Sequence, residues 1–186
     1  MTVFYTVDRS YRVCEGDKFE LKNDFSKILI STIKDILSRE EVINLIEQEF
    51  PMGLSNHGVY YLLNNPILIN QIEDNNYVPI SPMIEAIFEQ IRRVSYSHLP
   101  SRMVSMFAWQ EINEAVTFAN SLHTGQYKIL EVETENYFIG DMNLLKLGGQ
   151  VANAYAMAHK YWKQEYSSNP NLEVLIPLPV TLGKEV

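Results

Sequence analysis

Hydrophobic and polar positions alternate along this chain in two different periods, and the switches between them mark its elements. Residues 3–8 (Val-Phe-Tyr-Thr-Val-Asp) are aromatic and β-branched, which predicts a first strand, and Lys18-Phe19-Glu20-Leu21-Lys22 alternates as a short second one. From Asp24 the spacing becomes helical, through Leu29, Ile33, Ile36 and Leu37. Ser38-Arg39-Glu40-Glu41 has the form of a capping box that restarts a helix, with Val42, Leu45, Ile46 and Phe50 on its inner face. A break follows over residues 51–58, Tyr60-Tyr61 opens a short segment, and the Asn-rich residues 64–79, with Pro66 and Pro79, read as loop. Ser81-Pro82 starts a helix that buries Ile84, Ile87, Phe88 and Ile91 and ends near Arg92 and Arg93.

The run from Pro100 to Trp109 interleaves hydroxyls and a guanidinium with large apolar groups. As a strand it puts Arg102, Val104, Met106 and Ala108 on one face and Met103, Ser105, Phe107 and Trp109 on the other. Ala115, Phe118, Ala119 and Leu122 then mark a helix stopped by Gly125, and residues 127–133 set Leu130 and Val132 against Glu131 and Glu133 in a half-exposed strand. Residues 138–143 read as a turn. Val151, Ala154, Tyr155, Ala158 and Trp162 share a helical face, and residues 172–182 form a last strand whose Pro177 and Pro179 imply an edge or a bulge. These elements predict a single α+β domain over residues 1–186, without repeats or a linker.

Composition narrows the classes of function. With 186 residues, 46% hydrophobic and 20% charged, the chain is long enough for a sizeable core. A net charge of -8 opposes broad adhesion to nucleic acid, although Arg92, Arg93 and Arg102 could form a local basic rim for RNA. Cys14 is the only cysteine, which rules out an internal disulfide and a cysteine-based zinc site within one chain. His57, His98, His123 and His159 are scattered, so no metal-spaced cluster is expected. The first residues have no signal-like pattern and no apolar run is long enough to span a membrane. The plain reading is a cytoplasmic bacterial protein with no membrane partner, with secretion by a route lacking a cleaved signal left open.

Three blocks carry a resemblance: Phe4-Tyr5-Thr6-Val7-Asp8-Arg9, Gly53-Leu54-Ser55-Asn56-His57-Gly58-Val59-Tyr60-Tyr61, and Pro100-Ser101-Arg102-Met103-Val104-Ser105-Met106-Phe107-Ala108 with Ala115 and Phe118 after it. Weaker echoes are Gly140-Asp141-Met142-Asn143, Tyr161-Trp162 and Leu172-Glu173-Val174-Leu175-Ile176. Together they resemble a bacterial family of uncharacterised domains related to ADP-ribosyltransferases. That resemblance implies a split β-sheet core with a mainly helical insertion at about 24–95. It implies NAD as substrate, no metal, and an unknown macromolecular or small-molecule acceptor.

By the same resemblance Glu173, Ser105 and Arg9 are the catalytic positions, and Thr6, Ser101, Arg102, Phe107 and His57 hold NAD. Thr6 is the second choice for the first-strand position. Two departures stand out: no histidine occupies that strand, and Phe107 stands where a tyrosine is usual. Cleaving nicotinamide from ribose builds positive charge on the sugar, which a pre-placed carboxylate stabilises. Arginine grips pyrophosphate through its planar fork, and an aromatic face packs the nicotinamide. Glu131-Val132-Glu133 also reads as the Glu-x-Glu of arginine-directed transferases, but Glu173 is preferred because that strand has a solvated face. The departures support an alternative, an inactive interaction or immunity-type module on the same fold. Arg9, Ser105 and Glu173 lining one cleft would favour the enzyme; their separation would favour the module.

Overall fold

The computed structural model describes residues 1–28, 36–64, 81–121 and 125–186. Strands β1 (Thr2–Asp8), β4 (Lys128–Thr134), β7 (Val180–Glu185) and β2 (Lys18–Phe19) form one antiparallel sheet in that order. Strands β3 (Ser105–Ala108), β6 (Leu172–Pro177) and β5 (Phe138–Asp141) form a second. The sheets meet where Tyr5 and Trp109 exchange backbone hydrogen bonds of 2.9 and 2.8 Å. Past that bridge the two strands stay linked by the Thr6 hydroxyl, which donates to the Phe107 carbonyl at 2.9 Å. The fold is therefore mixed α+β with two antiparallel sheets.

Each sheet is covered on both sides, and the side-chain alternation of the strands dictates by what. Phe4, Leu130, Val132 and Leu182 from the first sheet face Met106, Ala108, Val174 and Ile176 from the second. Phe107, Leu175 and Phe138, on the opposite face of the second sheet, pack under α3 (Ser81–Ser95) and α5 (Val151–Trp162) through Ile84, Phe88, Tyr161 and Trp162. Helix α4 (Ile112–Ser121) closes the far face of the first sheet with Ala115 against Ile129 and Trp109. Burying each of these large side chains contributes about 1.5–3 kcal/mol. A further cluster joins Ile46 of α1 (Arg39–Glu49) and Phe50, its C-cap, to Leu54, Val59 and Met103, with Val59 ending the single turn α2 (Asn56–Val59).

Several expectations change. The capping box of α1 forms as read, but Leu45 is exposed, and the inner positions are Val42, Ile43 and Ile46. Ile36 and Leu37 are also exposed, outside any helix; Leu29, Ile33, Pro66, Pro79, Leu122 and His123 lie outside the described residues. Residues 138–143 are strand β5 followed by a 3-10 turn (Met142–Leu144), because Asp141 caps that turn while its backbone still pairs with Leu172. Val151 and Tyr155 point outward, and Tyr161, which the periodic reading missed, is buried.

Residues 172–182 are not one edge strand. They split into β6, central in the second sheet, and β7, interior to the first. The prolines accommodate this, since Pro177 ends one ladder and Pro179 lies in the corner between the sheets, where no ladder N–H is needed. The largest correction concerns residues 100–109. Ser101 caps a 3-10 turn over Arg102–Val104 by accepting the Met103 N–H at 3.0 Å, so the strand begins only at Ser105. Arg102 therefore escapes the strand alternation that would have turned it away from Ser105 and Phe107.

Candidate functional site

Arg102 sits at the hub of a buried ionic cluster under α3 and α5. Its guanidinium Nε lies 3.1 and 2.9 Å from the two Glu85 carboxylate oxygens, and its Nη2 donates to Glu85 Oε1 at 3.0 Å. Nη1 donates to the Tyr161 hydroxyl at 2.8 Å and to Glu173 Oε1. Tyr161 in turn donates to Glu173 Oε1 at 2.8 Å. Arg102 is 3% exposed and Glu173 2%. Four elements thus supply one network: α3 gives Glu85, the 3-10 turn gives Arg102, α5 gives Tyr161 and β6 gives Glu173.

Electrostatics keeps Glu85 and Arg102 charged. Burial pushes the Glu85 carboxyl up, but the Arg102 charge and the contact with His57 pull it further down, to about 2. Burial alone would lower the Arg102 pKa, yet Glu173 and Glu85 drive it well above its ordinary value. Burial raises the Tyr161 hydroxyl, and the Glu173 carboxylate adds to that rise against the opposing Arg102 charge, so tyrosine stays a neutral donor.

His57 joins from the side. Ser55 donates its hydroxyl to the Met103 carbonyl at 3.0 Å and accepts the Gly58 N–H at 3.2 Å, which clamps α2 to the turn carrying Arg102. A Cβ at Gly58 would lie 2.2 Å from the Met103 oxygen, so only glycine permits this approach. The clamp leaves His57 Nε2 3.2 Å from Glu85 Oε1, within ion-pair range but off the line of a good hydrogen bond. The imidazole packs between Tyr61 and Phe107, with ring centroids 4.6 and 4.7 Å away. Phe107 also lies beneath Arg102, whose Cζ is 4.9 Å from the ring centroid.

Of the residues picked out in the sequence, Arg102, Phe107, His57 and Glu173 meet here, and Ser101 and Ser105 border them. The Ser105 hydroxyl donates to the Ser101 carbonyl at 2.8 Å, and the Ser101 hydroxyl donates to Glu89 Oε2 at 2.9 Å. Thr6 and Arg9 line a neighbouring cleft of about 420 Å³ at the end of β1, whose rim also carries Asp8, Ser10 and Asn56 and which adjoins the cluster through the Thr6 hydroxyl on the Phe107 carbonyl. Neither Ser105 nor Glu173 lines that cleft. Glu85 and Tyr161 were missed: a carboxylate on the apolar stripe of α3 and a tyrosine beside Trp162 were the signals present.

Two other groups of charged residues are also placed by the fold. Arg92 and Arg93 both pair with Glu89, Arg93 pairs with Glu49 as well, and Arg102 is enclosed, so these three make no open basic rim. Glu131 pairs with Lys184 at 3.5 Å on the first sheet, and Glu133 is exposed there. Among the described residues, no group of three or more His, Cys, Asp or Glu could hold a metal ion, and no helix is long and apolar enough to cross a membrane.

Fold and cluster together define a mixed α+β protein built around a buried Glu–Arg–Glu network. The chain belongs to the family described as protein of unknown function DUF2441, which matches residues 4–186. That assignment brings no activity with it and no link to ADP-ribosyltransferases. Comparison with curated proteins gives no match.

Proposed function

We propose that this chain is a non-catalytic binding or interaction module on an ADP-ribosyltransferase-like fold. The observation that carries the reading is the state of Glu173. A carboxylate that stabilises a forming ribosyl cation must reach the sugar, whereas this one is 2% exposed, paired with Arg102 and hydrogen-bonded by Tyr161. Arg9, the other charged residue of the supposed catalytic set, lines the cleft at the end of β1, which Ser105 and Glu173 do not line. The Thr6 and Ser105 hydroxyls donate to backbone carbonyls, which leaves neither donor free for a cofactor. The residues therefore fit NAD poorly as a substrate to be cleaved.

A second reading, transfer of ADP-ribose from NAD to a macromolecular or small-molecule acceptor, is favoured by one arrangement: Phe107, Arg102 and Glu173 do meet on one side of the second sheet. It requires Glu173 to leave Arg102 on binding. Incubation with millimolar NAD and chromatographic detection of nicotinamide separates the two. The first reading expects no release above that of NAD alone, in the parent and in Glu173→Gln alike. Release that Glu173→Gln lowers by roughly 10²–10³, with the fold kept, would refute it and establish the second.

A further inference from the structure

The cleft at the end of β1 has features that the buried cluster lacks: it is open, pre-shaped and carries a cation with no ion-pair partner among the described residues. Its floor is apolar, made by Val13, Phe19, Leu130 and Leu182. Val13 and Phe19 are only partly buried against the core that Leu130 and Leu182 belong to, so part of their surface faces the cleft. The rim is polar, with Thr6, Asp8, Arg9, Ser10 and Asn56. Arg9 is exposed and makes no ion pair or hydrogen bond among the described residues.

The loop that presents Arg9 is fixed from both sides. Asp8 accepts the Ser10, Arg12 and Val13 N–H groups at 2.8 Å each and the Ser10 hydroxyl at 2.6 Å. Lys128 donates to the Val13 carbonyl at 3.3 Å and lies over the Tyr11 ring at 5.1 Å. The Asp8 carboxylate is thereby spent on the loop backbone and not on Arg9. A second opening, of about 640 Å³, mixes the charges of Lys18, Glu20 and Glu133 along its edge and offers no comparable pairing of one cation with an apolar floor.

We infer that the β1 cleft binds a small molecule carrying a single anionic group, phosphate or carboxylate, on one apolar ring, with Arg9 gripping the anion and the ring resting on Val13 and Phe19. The volume is at the small end of ligand pockets, which suits one ring and one anionic group better than a dinucleotide. A guanidinium fork is matched to either oxyanion, and the apolar floor rejects a bare ion. The inference does not depend on whether NAD is turned over, since its readout is binding of a ligand without nicotinamide.

Titration calorimetry with phenyl phosphate and with benzoate tests it, inorganic phosphate and phenol serving as controls. Saturable binding is expected for at least one of the two aryl anions, and which one binds distinguishes phosphate from carboxylate. Both controls should bind about tenfold or more weakly, and Arg9→Gln and Val13→Asn should each weaken the aryl anion by about tenfold or more. Arg9 is exposed, so unchanged melting of Arg9→Gln ties its loss to the contact itself. No saturable binding by either aryl anion, or equal affinity in the parent and Arg9→Gln, would overturn the inference.

Discussion

Replacing Arg102 by methionine isolates the electrostatic content of the buried network, because the apolar volume is largely kept while the guanidinium is lost. Two carboxylates, Glu85 and Glu173, then face each other in a dry interior without their shared counter-charge. Breaking a buried pair in this way costs about 3–5 kcal/mol. The Glu85 carboxyl, held down by Arg102 and by the His57 contact together, gives the same order of magnitude. Glu85 has a folded pKa of about 2 against an ordinary 4.5, and about 2.5 units at 1.36 kcal/mol each come to about 3 kcal/mol. The sign follows from the direction. A folded pKa below the unfolded value stabilises fully above about pH 4.5 and loses that contribution as pH falls toward about 2. The deficit of Arg102→Met should therefore be largest near neutrality and shrink on acidification, since the parent gives up the same contribution. Urea unfolding followed by the fluorescence of Trp109 and Trp162, both buried, measures it at pH 7 and at about pH 3. Removing all three charges together (Glu85→Leu, Arg102→Met, Glu173→Leu) should recover much of the loss. A deficit below about 1 kcal/mol at pH 7, or one that does not shrink with pH, would refute the assignment of a compensated buried charge cluster.

Two further substitutions probe the supports of the site. Gly58→Ala places a Cβ 2.2 Å from the Met103 oxygen, so α2 must shift; a loss of about 1–3 kcal/mol in urea unfolding, with altered near-ultraviolet circular dichroism from the His57–Phe107 region, is expected. Asp141 is fully buried and accepts the N–H groups of Asn143, Ser167 and Asn171 at 2.9, 2.8 and 2.9 Å. Burial pushes its carboxyl up, but these bonds bring it below 3.8, so Asp141→Asn should cost about 1–3 kcal/mol at pH 7, and the difference from the parent should narrow as pH drops through that range.

The strands were legible wherever one face is buried and the other is not. β4 shows it best, with Leu130 and Val132 inward and Glu131 and Glu133 more exposed. The α1 start was legible because its capping box is local chemistry, satisfied within four residues. What escaped was decided at longer range. Leu45 keeps helical spacing with Val42 and Ile46, yet nothing in the described residues covers it. Residues 172–182 contain one continuous β-prone run, and only the positions of the partner strands, β3 and β5 on one side and β4 on the other, reveal that it serves two sheets.

The site was half legible for the same reason. Residue types marked Arg102, Phe107 and Glu173 as unusual, but a strand drawn through residue 102 turned the guanidinium away from the other two. A single serine reverses that geometry: by capping a 3-10 turn, Ser101 starts the strand three residues late and swings Arg102 onto the face of Phe107 and Glu173. The partners that complete the network, Glu85 and Tyr161, come from helices whose periodic reading favours apolar residues, so that reading singles out neither. Once Glu85 is placed, the meaning of Glu173 changes. One guanidinium between two buried carboxylates joins α3 to the second sheet and reaches α5 through Tyr161, whereas Arg9 is exposed on the cleft at the end of β1.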